Sequence, residues 1–397
     1  MIPRHLSNVL RRAASNYPVV TITGPRQSGK TTLARAVFAK YAYVSLEAPD
    51  VRAFATEDPR SFLDQFRGAV VLDEVQQAPD LFSYIQSRVD DDGRPGRYVL
   101  TGSQNFLLLD KVAQSLAGRT YISHLLPFSM AELAGRRPCR VEAIGRTVPR
   151  IKSYEGSWFE AAQQGFYPRI HDRGIDANEW LTQYFQTYLE RDVRSLAHVG
   201  DLESFGRFVR LCAGRSGQLL NLSSLGNDCG VSHDTARRWL SVLEASFVVF
   251  RLAPYHRNFS KRLIKSPKLY FYDTGLLCCL LQIRSSAQLE THAMRGPVFE
   301  NLIVVEIAKA IFNQGDRPAL YFWRDHRGDE IDLVIDTAEG AIAVEIKSGA
   351  TIGSDFFKGL ARWQMLTGDE GPTALVYGGD GSVKRKSAMV YSWRHWG

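Results

Sequence analysis

The chain has 397 residues, of which 45% are hydrophobic and 23% charged, and its formal net charge is +7. These values exclude a disordered or collagen-like chain and predict two to four folded domains, at about 100–200 residues each. The mild positive charge favours a polyanionic partner without requiring one.

The cysteine and hydropathy patterns indicate a cytoplasmic protein. The five cysteines form no C-x-x-C pair, which is unlike a disulfide framework or a zinc site. The N-terminus has no signal-like apolar segment, and the apolar runs stay under the roughly 18 residues that span a bilayer. We therefore expect no membrane segment.

The first third of the chain alternates strand and helix patterns. Short apolar runs end at residues 23, 75 and 103, in the stretches VVTIT, AVVLDEV and RYVLTGS, with AYVSLE as a further strand. Such strands separated by helices predict an α/β domain, over 1–140, in which helices cover both faces of a parallel sheet. A last strand and helix are expected in RTYISHLLPFSMAEL.

The loop after the first strand carries the sequence GPRQSGKTT, which fits G-x-x-x-x-G-K-[ST]. Glycines let such a loop turn its N–H groups towards phosphate oxygens, and the following helix presents its positive end to the same anion. The lysine should reach the β- and γ-phosphates of ATP and the next residue should ligate Mg²⁺. The predicted nucleotide-binding residues are Gly24, Pro25, Arg26, Gln27, Ser28, Gly29, Lys30, Thr31 and Thr32.

Two acidic residues end the strand VVLDE. Sites in parallel sheets form where strands end, so Asp73 is expected to support Mg²⁺ together with Thr31. Glu74 is placed to activate the attacking water. The sequence LTGSQNF, at the end of the next strand, offers Ser103 or Gln104 as a γ-phosphate sensor, and the pattern leaves that choice open.

An arginine near the phosphates would stabilise charge in the transition state of hydrolysis. Arg119 is the candidate, either within one chain or from a neighbouring subunit. An ordinary surface arginine is the alternative.

The middle section, 150–285, is predicted to be helical and to contain a winged helix-turn-helix. Its second helix would contact DNA through Ser232, His233, Thr235, Arg237 and Arg238. The following basic segment would contact phosphates through His256, Arg257, Asn258, Lys261, Arg262, Lys265 and Lys268. A protein-binding module or an ATPase lid is the alternative.

The last section, 295–397, reads as a separate α/β unit with a second constellation. Residues two apart on a strand face the same way, so Glu345 and Lys347 should point into one site. Asp332 on the adjacent strand could bind Mg²⁺ with Glu345, and Lys347 could position water. A salt-bridged face used for binding or assembly is the alternative.

This unit resembles the PD-(D/E)xK nuclease fold, and the resemblance implies that Glu300, on the first helix, completes the site. More broadly, GPRQSGKTTL, VVLDEVQQAPDLF, YVLTGSQNFLL and SLAGRTYISHLLPFSMAEL resemble prokaryotic AAA-type ATPases of the archaeal-ATPase-like group. The stretches YLERDV, GVSHDTARRWLSVLEASFVVFRLAPYHRN and YFWRDHRGDEIDLVI resemble the C-terminal region that accompanies that ATPase. The resemblance implies ATP hydrolysis, magnesium and ring-like oligomerisation.

Three hypotheses follow from the sequence. The first is an oligomeric, Mg²⁺-dependent ATPase that acts on DNA, in duplex or branched form. The second is a nucleotide switch that assembles with a protein partner without DNA. The third is an ATP-gated, metal-dependent DNA nuclease.

Overall fold

Two sheets organise the chain. A computed structural model describes residues 2–103, 115–148, 152–188, 202–255, 266–325, 327–368 and 371–397. The first sheet has five strands in the order β2-β3-β4-β1-β5, and every pair in it is parallel. Its strands are β1 Val19–Thr23, β2 Ala42–Ser45, β3 Val70–Asp73, β4 Tyr98–Gly102 and β5 Thr120–His124.

Both faces of this sheet are covered, as the apolar strands predict. Val71 and Leu72 are neighbours on β3 but belong to different buried clusters, and Val99 and Leu100 on β4 divide in the same way. Successive residues of a strand point to opposite faces, so each cluster lies between one face of the sheet and the helices that cover it. The helices are α1 Leu6–Asn16, α2 Lys30–Val37, α3 Pro49–Glu57, α4 Pro59–Asp64, α5 Leu81–Asp91 and α6 Met130–Leu133.

Six helices make up the described middle of the chain. Local signals place several of their ends: Pro168 occupies the first turn of α8, Gly174 ends it in the left-handed region, and Ser232 caps α12 by accepting the Thr235 N–H at 3.1 Å. The six are α7 Trp158–Gln164, α8 Pro168–Arg173, α9 Ala177–Tyr188, α10 Leu202–Ala213, α11 Leu222–Cys229 and α12 His233–Ala245.

The second sheet has eight strands in the order β12-β13-β11-β10-β9-β8-β6-β7. Pairing is parallel for β10 with β11, β11 with β13 and β6 with β8, and antiparallel elsewhere. The strands are β6 Val249–Pro254, β7 Lys268–Phe271, β8 Leu320–Arg324, β9 Glu330–Thr337, β10 Gly340–Lys347, β11 Thr373–Tyr377, β12 Val383–Lys384 and β13 Met389–Ser392. The accompanying helices are α13 Thr274–Leu280, α14 Ser286–Thr291, α15 Arg295–Gln314 and α16 Lys358–Thr367.

The second sheet crosses the predicted boundary between the middle and last units. Strand β6 follows α12 directly, yet Ala253 and Pro254 pair with Tyr321 and Phe322 of β8. One buried cluster accordingly runs from the middle helices through α15 into this sheet. The middle and last sections therefore share a core in the folded chain.

Helix α15 joins this core to the first sheet. Tyr121 of β5 donates its hydroxyl hydrogen to the Gly315 carbonyl at 2.9 Å, and the Met130 N–H donates to the buried Glu306 carboxylate at 2.6 Å. Lys309, also buried, donates to both Glu306 and the Phe128 carbonyl. These bonds satisfy charges that would otherwise be costly to bury, so the two parts of the chain are fixed against each other.

None of the helices in the described ranges combines the length and the apolar character needed to cross a bilayer.

Candidate functional site

The loop after β1 adopts a conformation that depends on its glycines. Gly24 has φ +152°, and a Cβ atom there would lie 2.1 Å from the Leu125 carbonyl oxygen. Gly29 has φ +92° and occupies the position before α2. A side chain at either position would be strained, so the loop needs both glycines of the motif.

Lys30 begins α2 and turns back over the loop. Its ammonium group is buried and donates to the carbonyls of Gly24 at 3.0 Å and Pro25 at 2.8 Å. Neutral carbonyls are weaker partners for an ammonium than phosphate oxygens, so these bonds can be exchanged for charge-assisted ones. The cation therefore lies inside the loop that should hold the phosphates.

Asp73 lies at the end of β3 among hydroxyl groups. Thr31 Oγ1 donates to its two carboxylate oxygens at 3.0 and 3.1 Å, and Tyr43 donates at 2.7 Å. Thr101, on β4, also donates to this carboxylate. The predicted pair of Thr31 and Asp73 is thus together in one place, and it is held by neutral donors.

Magnesium fits this donor set. A hydroxyl and a carboxylate side by side are hard oxygen ligands, and Mg²⁺ is usually held by one or two carboxylates plus substrate phosphates. Within the described ranges, no group of three or more His, Cys, Asp or Glu side chains is arranged to hold a metal ion. A metal at Thr31 and Asp73 would consequently need oxygens from a bound phosphate.

Glu74 is the next residue and has φ +55° and ψ +46°, in the left-handed region. Such a backbone is costly for a residue other than glycine and is concentrated at functional sites. Its carboxylate accepts hydrogen bonds from Ser103 Oγ at 3.1 Å and from the Gln76 amide. The turn aims Glu74 away from Asp73 and into the cleft described next.

A cleft of about 1010 Å³ opens in front of the loop. Lys30, Thr31 and Glu74 lie on one wall, together with Arg26, Gln27, Gly29 and Thr32 of the predicted set. The N-terminal segment and helices α8 and α9 form the other walls. Pro168 approaches Gly29 most closely: a Cβ on Gly29 would lie 3.9 Å from Pro168 Cγ.

Arg119 lies elsewhere, which corrects one version of its predicted role. It immediately precedes β5, and the register pairs Val19 with Thr120 at the start of two parallel strands. The loop follows the other end of β1, so Arg119 is at the opposite edge of the sheet and cannot reach the site within its own chain. Its guanidinium pairs with Asp90 at 2.5 Å. A role in a neighbouring subunit stays a prediction.

Of the two candidate phosphate sensors, one lies within the described residues. Ser103 contacts Glu74, as described above, whereas Gln104 lies outside the described residues. Ser103 is therefore tied to the residue proposed to activate water.

The predicted DNA-contacting residues divide into three groups. On α12, Arg237 and Arg238 are exposed, on the side opposite the buried Trp239 and Leu240. Lys268 was expected in the basic segment, but it is buried on β7 and bonded to acidic side chains, so it cannot face DNA. The remaining predicted contacts, His256, Arg257, Asn258, Lys261, Arg262 and Lys265, lie outside the described residues.

The four residues of the C-terminal constellation converge. Lys347 Nζ lies 2.5 Å from a Glu345 oxygen and 3.8 Å from an Asp332 oxygen. Glu300 Oε1 accepts from Lys268 at 2.9 Å and from the Tyr270 hydroxyl at 2.5 Å. We call this set, with Glu330, the carboxylate cluster; its members are Lys268, Tyr270, Glu300, Glu330, Asp332, Glu345 and Lys347.

Burial dominates the electrostatics of the carboxylate cluster. Burial and the charge of Asp332 raise the pKa of Glu345 to about 8, and burial raises that of Glu300 to about 7 against the opposing effect of Lys268. Burial disfavours the ammonium of Lys268, but Glu300, Asp332 and Glu330 outweigh it and raise its pKa. The negative charges of these buried carboxylates are thus stabilised by the neighbouring lysines.

Two ammonium groups lie among the carboxylates at which the nuclease resemblance implies magnesium. Lys268 contacts both Glu300 and Glu330, and Lys347 contacts Glu345 and Asp332. The Ile346 N–H donates to the same Asp332 oxygen, Oδ2, at 2.7 Å. Glu345 Oε2, by contrast, is buried without a hydrogen-bond partner in the described part of the chain. Ammonium groups thus lie between the carboxylates, while Glu345 keeps one oxygen unengaged.

Sequence reasoning missed the residues that surround these sites. Tyr43 and Thr101 both bond Asp73, and the polar ends of their strands were the available signal. Lys268 was visible only as one basic residue among several. Nothing local in the sequence indicated that α8 and α9 would face the phosphate loop, because that contact joins residues about 140 positions apart.

Comparison with known proteins assigns the chain to a family. A family described as "AAA domain" matches residues 16–134, and two domains of unknown function, DUF8612 and DUF4143, match residues 155–287 and 295–396. The uncharacterized protein Rv2008c of Mycobacterium tuberculosis is 32% identical over 343 residues, covering 86% of this chain and 73% of that protein. The uncharacterized protein Mb2031c of Mycobacterium bovis matches to the same extent.

This chain belongs to the family of those two mycobacterial proteins. Its N-terminal part is an AAA-type P-loop domain. Among solved structures, the Walker-type ATPase PABY2304 of Pyrococcus abyssi is similar with a TM-score of 0.44 and 16% identity, over 71% of this chain and 96% of that one. A similarity of that size carries no argument about function.

Proposed function

We propose that the protein binds ATP with Mg²⁺ in the cleft and hydrolyses it. The observation that carries the proposal is that Lys30, Thr31 and Glu74 line one cleft on an AAA-type domain, while the buried Asp73 carboxylate accepts a hydrogen bond from Thr31. The residues come from the loop and from the end of β3, where ligands bind to parallel sheets.

The phosphates would be held by the loop. Its backbone and the N-terminus of α2 favour an anion, and the Lys30 ammonium would exchange its carbonyl partners for β- and γ-phosphate oxygens. Thr31 and Asp73 would hold Mg²⁺, which neutralises charge on the phosphate oxygens.

Glu74 would orient and deprotonate the attacking water. Its carboxylate lines the same cleft as Lys30, and Ser103 and Gln76 fix its direction. A proton taken from water at Glu74 would leave hydroxide to attack the γ-phosphate as the bond to the β-phosphate breaks.

Substitution of Glu74 tests this assignment. Glu74→Gln keeps size and polarity but cannot accept the proton, so turnover should fall by about 10²–10⁴-fold with MgATP binding retained. Phosphate release and equilibrium binding measure the two quantities. Glu57→Gln, on the exposed end of α3, is the control and should change neither. Wild-type turnover in Glu74→Gln would show that another group activates water.

We further propose that the work done with ATP is on DNA. Helices α11 and α12 form a helix-turn-helix, and the antiparallel strands β6 and β7 follow them, as in a winged helix. Arg237 and Arg238 are two adjacent, exposed basic residues on α12. Such a pair neutralises phosphates and gives salt-dependent affinity.

A matched pair of double variants tests the DNA role. Arg237→Ala with Arg238→Ala should lower affinity for labelled duplex and four-way-junction DNA and reduce the salt slope by about two. Arg207→Ala with Arg210→Ala removes the same charge from the exposed side of α10 and should have a smaller effect. If the wild type binds no DNA at low salt, with or without ATP, the nucleotide-switched protein-assembly hypothesis replaces this one.

Oligomerisation belongs to the same proposal. Arg119 lies at the edge of the sheet opposite the site, so it could complete only the site of a neighbouring copy. Mixing Arg119→Ala chains with Lys30→Ala chains should then restore part of the ATPase activity that each lacks alone, and no recovery would argue for a site complete within one chain.

A further inference from the structure

The cleft extends well beyond the phosphate loop. Beyond the loop, its lining includes Ser7 and Arg11 of α1, Ala36 and Val37 of α2, and one face of α9; we call this part of the lining the trench. From Thr31 to Val37 the trench follows α2 for about 9 Å, at 1.5 Å per residue. That is the order of the distance from the phosphates of a nucleotide to its base.

One face of α9 lines this trench. The lining residues recur at spacings of three and four, so they form a single stripe along the helix: Trp180, Gln183, Tyr184, Thr187 and Tyr188. Trp180 and Tyr184 stack on each other with ring centroids 5.2 Å apart and planes 17° apart. Trp180 is half-buried and Tyr184 and Tyr188 are buried, whereas Gln183 and Thr187 are exposed. The stripe thus presents one aromatic ring, that of Trp180, beside two polar side chains.

Within the α9 stripe, Gln183 has a polar side chain that does not contribute a hydrogen bond to the described part of the fold. The side chain is exposed, and its amide makes no hydrogen bond to any residue in the described ranges. Nearby amides behave otherwise: Asn178, on the same helix, donates to the Arg284 carbonyl at 2.6 Å. An amide that offers both a donor and an acceptor beside an aromatic surface can recognise the edge of a planar heterocycle.

We propose that α9 forms the nucleobase subsite of the cleft, with Trp180 supplying the stacking surface and Gln183 reading adenine. This rests on the proposed function, because the phosphate loop anchors the other end of the same ligand. Adenine offers an amino donor beside a ring-nitrogen acceptor, which matches both groups of one amide. Guanine offers two acceptors at the corresponding edge and leaves the amide acceptor unpaired.

Calorimetric affinities for MgATP, MgGTP and magnesium tripolyphosphate test the subsite on the full chain. The wild type should bind MgATP more tightly than either competitor. Gln183→Ala should reduce the ratio of MgATP to MgGTP affinity by about 5- to 100-fold and leave tripolyphosphate affinity unchanged. Gln186→Ala, exposed on α9 but outside the trench, is the matched control and should keep the wild-type ratio.

Each failure has a separate signature. Equal wild-type affinities for MgATP and tripolyphosphate would overturn the base subsite and leave the phosphate site standing. An unchanged ratio in Gln183→Ala would overturn the role of Gln183. If MgATP binds and Lys30→Ala binds it equally well, the phosphate assignment fails while the base subsite stands. No binding of any of the three compounds would overturn both.

A different observation concerns the carboxylate cluster. The Lys268 side chain is 3% exposed, and its ammonium lies between Glu300 on α15 and Glu330 on β9. These carboxylates come from a helix and a strand that only the fold brings together. We infer that Lys268 occupies the cation position of the cluster, so that a side chain, and no divalent ion, joins α15 to the second sheet.

Manganese, a substitute for magnesium, provides the test. Added Mn²⁺ should shift the unfolding temperatures of the nucleotide-free wild type and of Asp332→Asn by the same amount. In Lys268→Ala the vacated position should bind Mn²⁺ and raise the unfolding temperature, and adding Asp332→Asn should abolish that rise. Lys268→Gln provides a second variant if Lys268→Ala does not fold.

Two results would overturn the inference. One is Mn²⁺ stabilisation of the wild type that Asp332→Asn abolishes, or Mn²⁺-dependent DNA cleavage lost in that variant. The other is the absence of any Mn²⁺ effect in both folded Lys268 variants, which would mean that the ammonium does not stand in a cation site.

Discussion

The phosphate-loop site and the carboxylate cluster use the same residue types in opposite surroundings. Around Asp73 the donors are hydroxyl groups, and Lys30 is bonded to carbonyls beside an open cleft. In the carboxylate cluster an ammonium group donates to each of Glu300 and Glu345, the Tyr270 hydroxyl also donates to Glu300, and both carboxylates are largely buried.

This difference decides which site can take a ligand. Neutral partners are readily replaced by a charged ligand, since phosphate forms charge-assisted hydrogen bonds with Lys30 and a metal ion coordinates the Asp73 carboxylate directly. A buried ammonium paired with carboxylates cannot leave without exposing unpaired charges in a medium of low polarity. Lys30 in the phosphate-loop site is therefore available to bind a ligand, whereas Lys268 in the carboxylate cluster has a structural role.

The largest expected effect tests the first half of the comparison. Lys30→Ala removes the cation that should stabilise phosphate charge, and ATP turnover should fall by about 10²–10³-fold or more. Phosphate release at saturating MgATP is the measurement. Lys40→Ala, which is exposed, should behave as the wild type. Full turnover in Lys30→Ala would mean that the loop is not the catalytic site.

The second prediction tests the structural role of the other lysine. Lys268→Met leaves Glu300 without a cation, whereas Glu330 keeps Arg324 as a partner. The free energy of unfolding should fall by about 3–5 kcal/mol, mainly because the Glu300 charge is then uncompensated. Urea unfolding followed by fluorescence measures it. Lys384→Met, on the exposed β12, should cost far less. A loss under about 1 kcal/mol would place Lys268 with ordinary surface pairs.

The pH dependence of stability provides a further test of the carboxylate cluster. Burial and Asp332 raise the pKa of Glu345 from 4.5 to about 8 in the folded chain, so the folded state binds its proton more tightly than the unfolded state. Its stabilising contribution is complete below about pH 4.5 and is lost as the pH rises through about 8.

Glu345→Gln isolates this contribution. The wild type should lose stability between about pH 5 and pH 9, and the variant should lose less because its amide does not ionise. Glu290→Gln, an exposed carboxylate, is the control and should follow the wild type. Parallel curves for Glu345→Gln and the wild type would show that Glu345 does not titrate in this range.

The smallest effect concerns the hydroxyl groups around Asp73. Tyr43→Phe removes one hydrogen bond of 2.7 Å that holds the carboxylate in place. At about 1 kcal/mol per bond, the Mg²⁺ concentration for half-maximal ATP hydrolysis should rise about fivefold with little change at saturation. Tyr41→Phe, two residues earlier, is the control. An unchanged Mg²⁺ requirement would show that Thr31 and Thr101 suffice.

Much of the first domain could be predicted because its signals are local. The strand patterns around VVTIT and VVLDEV gave the parallel sheet with both faces covered, and the loop motif gave Lys30, Thr31 and Asp73 as neighbours. Position along a strand also predicted that Glu345 and Lys347 would meet. In these cases residues close in sequence, or at the ends of adjacent parallel strands, determine the contact.

The predictions that failed depended on long-range contacts. Lys268 seemed part of a basic surface segment, because its acidic partners lie some 30 to 60 positions later in the chain. Arg119 was predicted to act on the phosphates either within one chain or from a neighbouring subunit, and the strand register excludes only the first role, because it puts Arg119 at the other edge of the sheet. The extent of the second sheet across β6 had no local pattern either.

The sequence by itself determined the phosphate loop, the acidic strand end and the order of the elements, because glycine conformation, strand periodicity and helix ends act within a few residues. Only the tertiary structure decided which surfaces face each other: α9 against the loop, and Lys268 among carboxylates. Those contacts depend on how helices and sheets pack, and the free energy of packing is shared among residues far apart in the chain.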